Sequence, residues 1–146
     1  MDASIELVIL SIDDYDEIVA LWERAQLKIR PLGRDSKVQI QQQLESQLVW
    51  FIGARCGESL VGVVMPSHDS RRGWINRLAV DPDYRQQGIG EALLCEAQDQ
   101  LRARGLDVIA ATIERWNAPS LGLVRKCGFV VDEEVLYASS RTNPDA

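Results

Sequence analysis

Six consecutive residues carry the sharpest chemical signal in this chain: Arg85, Gln86, Gln87, Gly88, Ile89 and Gly90. They follow an apolar run at 74–80 and open a long amphipathic stretch that starts at Gly88. The first turn of a helix has backbone N–H groups with no internal partner, and the helix dipole adds partial positive charge there. A phosphate or pyrophosphate set at that end accepts those bonds. Gly88 and Gly90 lack a Cβ, so a ligand can approach the backbone and unusual φ/ψ values are accessible. The hexapeptide therefore reads as an anion cradle. A dinucleotide-binding fold would want a further glycine at position 93, where Leu93 stands, and repeated parallel βαβ units. A P-loop would want Gly-Lys-Ser or Gly-Lys-Thr, which the sequence does not contain.

The elements that must position this loop follow from the apolar spacing. Residues 5–10 are β-rich and read as a first strand. Ser11 and Asp14 form a capping box, and Tyr15, Ile18, Val19 and Trp22 recur at helical spacing, which predicts a helix over 12–25. A loop holding Arg30, Pro31 and Gly33 follows. Ser36 and Gln39 make a second capping box before Ile40, Leu44 and Leu48. The runs LVWFIGAR (48–55) and LVGVVM (60–65) are joined by Cys56, Gly57, Glu58 and Ser59, a hairpin signal. After the polar turn at 67–73 comes a third strand of this group, 74–80. A helix over 88–104 buries Ile89, Leu93, Ala97 and Leu101 and stops at Gly105. Residues 106–113 carry little charge and are expected to form a central strand. Asn117 opens a last helix ending at Gly128. Residues 129–131 and 135–137 are expected to close the chain as a hairpin, with 139–146 a frayed tail. The order β-α-α-β-β-β-α-β-α-β-β defines an α/β (α+β) mixed sheet with helices packed on it.

Length and composition limit the rest. A chain of 146 residues fits a single domain spanning 1–146. The formal charge of −6 disfavours nucleic acid as a partner, since phosphate binding needs clustered positive surface, and weakly favours a cationic one. Residues 1–10 carry no Lys or Arg, unlike the basic start of a signal peptide, and no apolar run approaches the ~18 residues of a membrane helix. Cys56, Cys95 and Cys127 lie far apart without a Cys-x-x-Cys pair, and His68 is the single histidine. These counts point to reduced, buried thiols in a cytoplasmic protein and to no metal site.

The run LAVDPDYRQQGIGEALL, residues 78–94, resembles the acetyl-CoA signature of the GNAT superfamily of N-acetyltransferases, through Arg85, Gly88 and Gly90. Downstream, NAPSL (117–121) and RKCGF (125–129) resemble the second motif of that family, and the element order matches over nearly the whole chain. The resemblance implies a GNAT-like fold, acetyl-CoA as co-substrate and no metal. It implies that strand 74–80 splays from strand 106–113, with the pantetheine arm in the gap. Backbone groups of Leu78, Ala79 and Val80 would then line the arm, amides of Gln86, Gln87, Gly88, Ile89 and Gly90 would hold the pyrophosphate, and Asn117 would touch the cofactor as well as cap its helix. Arg85, Arg125 or Lys126 would be within the reach of a 3′-phosphate.

For the chemistry, the resemblance implies direct attack of a bound primary amine on the thioester, with a backbone N–H near Val80 stabilising the oxyanion. Many family members keep a Tyr as general acid at the position of Val124, so the usual acid is replaced. Candidates for acid or base work are Tyr137, Tyr84, Glu114, His68 and Asp69, with Asn76 able to order a water. The basic loop residues Lys28, Arg30, Arg34 and Lys37 would cover the acceptor side. The acceptor is a small-molecule or peptide amine, and a second copy of the chain is an admissible partner. The other readings are a protein N-terminal acetyltransferase of the ribosomal-protein type and a CoA-binding module without turnover.

Overall fold

Five strands make one sheet in the sequential order β1-β2-β3-β4-β5. They are β1 (Ile5–Leu10), β2 (Phe51–Cys56), β3 (Ser59–His68), β4 (Gly73–Val80) and β5 (Ile109–Ala110). The first four form an antiparallel meander, and β5 joins β4 in parallel. The structure, a computed structural model, describes residues 4–146, so the expected domain start at residue 1 lies outside the described residues.

Four helices cover the two faces: α1 (Tyr15–Arg24), α2 (Lys37–Glu45), α3 (Ile89–Ala103) and α4 (Ala118–Lys126). Their starts are chemically marked. Ser11 and Asp14 form the reciprocal capping box ahead of α1, and the Ser36 and Asn117 side chains accept from Gln39 N and Ser120 N at the starts of α2 and α4. On one face Ile18, Leu21, Trp22 and Ile40 pack against Leu10, Phe51, Leu60, Val63 and Ala79. On the other, Ile89, Leu93, Leu94, Ala97, Leu101 and Val124 pack against Ile52, Ala54, Val61, Val64 and Ile75. Opposed apolar stripes on both faces of a mostly hydrophobic sheet are what fix this three-layer arrangement.

Four expectations are corrected. Residues 106–113 form a strand only at Ile109–Ala110, and it lies at the sheet edge rather than centrally. A low charge density signalled burial of Leu106 beneath α3, not a place in the middle of the sheet. The terminal hairpin does not form: among the described residues no strand follows α4. Phe129 and Val131 pack against the α3 core while Val130 faces solvent, so side-chain alternation survives without a ladder. Between the two short runs, Asp132 Oδ1 accepts from Glu134 N, and three carboxylates in a row end the extended segment. Runs of three residues bury too little to hold a hairpin. Finally, Leu48 is not on α2, which ends at Glu45, and Cys95 is exposed rather than buried.

No helix among the described residues is long and apolar enough to cross a membrane. The tail reaches back over the molecule: Arg30 Nη1 donates to Pro144 O at 3.4 Å, and a Cβ on Gly33 would stand 2.3 Å from Asp145 O.

Candidate active site

The site is organised by a bulge in β4. The Gly73 N–H bonds to Val108 O on the β5 side, whereas the Asp81 N–H bonds to Val61 O on the β3 side. Two residues an even number apart in a regular strand would donate to the same edge. One extra residue must therefore intervene, and the register shows it: Val63 pairs with Ala79, but Met65 pairs with Asn76. Arg77, at φ +53, sits in this bulge. Beyond it, Val80 turns its N–H and C=O away from β3.

What those groups face is a gap. The β4–β5 ladder consists of Gly73↔Ile109 and Trp74↔Ala110 and then stops. No pairing continues beyond it, and Leu78, Val80, Ala111, Ile113 and Leu123 pack, half-buried, against the core on the α3 face. Past the end of β4, Asp81 and Tyr84 bracket a 3-10 turn whose Asp81 side chain accepts from Asp83 N. Gln86 (φ +65) and Gly88 (φ +80) are both left-handed, so successive amides in the loop turn toward one side. The first N–H of α3 to reach a main-chain carbonyl is Ala92, bonded to Gly88 O at 3.0 Å. The amides of Gln86–Gly90 have no main-chain acceptor, at a helix start where Gln86, Gln87 and Gly88 are exposed and Ile89 is buried.

The expected acid and base residues are spread over the end of β3, β4, the turn after β4, the loop before α4 and the C-terminal segment. Asn76 donates its amide across the sheet to Met65 O (3.3 Å) and Ser67 Oγ (3.0 Å). Glu114 is exposed, with its carbonyl accepting from Asn117 N. Tyr137 lies on the irregular C-terminal segment and is 70% exposed. Val124 is buried at 6% exposure in the α3 core. Tyr84 stands against Cys56, whose proximity raises its pKa above the ordinary value ahead of the smaller effect of burial. His68 and Asp69 lie at the opposite end of the eight-residue β4, roughly 23 Å away at ~3.3 Å per residue. His68 Nδ1 accepts from Ser70 N, and Asp69 Oδ1 accepts from Arg72 N and Arg71 N, bonds that hold its carboxyl below the usual range. A groove of about 850 Å3, lined by Ile9, Leu44, Trp50 and His68, lies at that end too, away from the cradle. Lys126 is engaged by Glu91 at 2.9 Å, while Arg85 and Arg125 are exposed.

A buried polar cluster beside the bulge had no strong signal in the sequence. Arg77 Nη2 donates to Asp35 Oδ2 at 2.6 Å, Arg77 Nη1 donates to Lys28 O, and the guanidinium lies 5.7 Å over the Trp22 ring. Asp35, 2% exposed, also accepts from Arg30 N at 2.6 Å, and its carbonyl accepts from Tyr15 OH at 2.7 Å. Burial lowers the Arg77 pKa, with Asp35 opposing the shift. The α1–α2 loop is thus tied to the bulged strand through one ion pair. The only sequence cue was Asn76 and Arg77 together, two polar residues interrupting an apolar strand.

A mixed sheet whose fourth and fifth strands pair over two residues beside the start of α3 defines a class, and the comparisons identify it. The profile described as the Acetyltransferase (GNAT) family matches residues 15–129, and the chain belongs to that family. It is accordingly an enzyme of the acetyltransferase class. An acetyltransferase of Sodalis glossinidius (strain morsitans) is 31% identical over 140 residues, covering 96% of this chain and 97% of that protein. One from Yersinia pestis (strain Pestoides F) is 30% identical over 131 residues, covering 90% and 92%. Among solved structures, the PaiA N-acetyltransferase of Thermoplasma acidophilum in complex with coenzyme A aligns with a TM-score of 0.78 at 23% identity, covering 90% of this chain and 92% of that one.

Proposed function

We propose that this chain, as one cytoplasmic domain, transfers an acetyl group from acetyl-CoA to a primary amine by direct attack. The observation that carries the reading is the gap beyond Trp74 and Ala110, with outward backbone groups of β4 along it and free amides of α3 at its end. In this reading the pantetheine amides pair with Leu78 and Val80 as an added strand, flanked by Ala79. The pyrophosphate takes the amides of Gln86, Gln87, Gly88, Ile89 and Gly90, with Arg85 beside it. Asn117, which caps α4 at 3.2 Å from Ser120 N, contacts the cofactor in this reading.

The amine nitrogen attacks the thioester carbonyl, and the developing oxyanion accepts the Val80 N–H. Collapse breaks the C–S bond and releases CoA thiolate, while the ammonium proton passes to water. Val124 leaves no hydroxyl at the position where the family resemblance expects one, and water supplies the proton to the thiolate. Preorganised main-chain donors and orientation then provide the rate enhancement rather than a side-chain acid.

Gly90→Glu tests the cradle without repacking the helix, because its Cβ meets only Leu123 Cδ2 at 3.4 Å and Val80 Cγ2 at 3.6 Å. The carboxylate occupies and charges the helix start. Calorimetric CoA affinity is expected to fall by about 100-fold or more, the scale of several lost charge-assisted bonds, with an unchanged far-UV spectrum. Undiminished CoA binding by the folded variant refutes this cofactor placement. A thiol-release screen of the parent with amino acids, polyamines, aminoglycosides and peptides then identifies the acceptor.

A further inference from the structure

Cys95 and Cys127 are 32 positions apart in sequence, yet their Sγ atoms stand 3.9 Å apart across the α3–α4 packing. Cys95 is an exposed residue of α3, while Cys127 is the half-buried C-cap of α4, packed against the α3 core. Two thiols in contact, one of them open to solvent, differ chemically from isolated structural cysteines: the open one can be attacked or can attack, and the other is already positioned to displace what has been added. Cys56 is set apart, in β2 with Ser4 Oγ at 3.6 Å.

We infer that Cys95 and Cys127 form a dithiol site that small disulfides convert into an intramolecular bridge between α3 and α4. In the first step the Cys95 thiolate attacks one sulfur of a disulfide RSSR, giving a mixed disulfide and releasing RS−. In the second, Cys127 loses its proton to solvent and attacks Cys95 Sγ, expelling the second RS−. In sum, one dithiol is oxidised and one small disulfide is reduced to two thiols. The sulfurs close from 3.9 Å to the ~2 Å of a disulfide. The order of steps follows from the surroundings. Burial, then the contact with Cys95, pushes the Cys127 thiol up to about 11, so Cys95 is the nucleophile and Cys127 the resolving group. The bridge would join the two helices already linked by Lys126 and Glu91 at 2.9 Å.

The test uses the full reduced chain and glutathione disulfide, and needs neither acetyl-CoA nor an amine, so its outcome is independent of the acetyltransferase reading. Intact mass is expected to fall by two hydrogens, peptide mapping to show Cys95 joined to Cys127, and Cys56 to remain alkylatable, all reversed by dithiothreitol. Cys127→Ala is expected to retain glutathione on Cys95, and Cys95→Ala to leave Cys127 unmodified over the same period. Glutathione persisting on Cys95 of the parent, a bridge containing Cys56, or three thiols still alkylatable each overturns the inference. Should a variant fail to fold, alkylation of the native parent decides: Cys95 is expected to react with iodoacetamide at least ~10-fold faster than Cys127, and equal rates contradict the assigned order.

Discussion

Asp35 and Arg77 meet from 42 positions apart, and a buried carboxylate with a single guanidinium partner is costly to strand. The Asp35 side chain is 3% exposed and that of Arg77 14%, so screening by water is weak. Asp35→Asn keeps the shape, leaves Arg77 charged and removes its counter-charge. It is expected to lose about 3 kcal/mol in urea unfolding, at the lower end for a broken buried pair. A loss under about 0.5 kcal/mol would place the pair with exposed salt bridges, which contribute little. Tyr137 presents the opposite case. A phenol 70% exposed on an irregular segment is poorly held for proton transfer. On the amine returned by the screen, Tyr137→Phe is expected to change thiol release by less than about twofold, whereas loss of a general acid costs ~10²-fold or more.

At the scale of elements, the decisive contact is α3 against the sheet. Gly62 in β3 lets the helix approach closely: a Cβ there would stand 2.9 Å from both Ile89 Cγ2 and Leu93 Cδ1. Ile89 and Leu93 are almost fully buried and have little room to yield. Gly62→Ala is expected to cost roughly 1–3 kcal/mol through forced repacking, read as a lower urea midpoint with unchanged slope. A neutral result would mean that α3 can slide without penalty, and that its N-terminal loop is not fixed by the sheet. Helix starts and stops were legible because they depend on local bonds: Ser11, Ser36 and Asn117 cap their helices, and Gly105 and Gly128 are left-handed just past α3 and α4. Strands were legible where four of them pair in sequence order. They were misread where a strand depends on a partner that never arrives, as at 129–131 and 135–137.

At the scale of the whole molecule, the Cys127 thiol links stability to alkaline pH. Cys127 is raised from the ordinary thiol value of 9.0 to about 11, chiefly by burial. Above pH 9 the unfolded chain releases this proton and the folded chain keeps it, so the native state binds more protons and stability falls as pH rises. The contribution is whole below pH 9 and gone by about pH 11. In dithiothreitol, the unfolding free energy of the parent is expected to drop across this window by on the order of 1 kcal/mol more than that of Cys127→Ala, read from denaturant titrations. Parallel curves for the two proteins would remove the buried thiol as the cause.

The sequence by itself determined the four helices with their caps, the four-stranded meander and, through two spaced motifs, the family. These properties are local: a cap, a glycine or an apolar stripe acts through neighbours within a few residues. Only the tertiary structure decided the rest. The extra residue at Arg77 is invisible in composition, because a bulge is defined by the register of the facing strand. The Asp35–Arg77 pair and the Cys95–Cys127 contact depend on the packing that brings the α1–α2 loop to β4 and α4 to α3. The gap beyond Trp74 and Ala110 exists because β5 leaves the ladder after two residues. A strand's length is set by its pairing partner, and pairing is long-range.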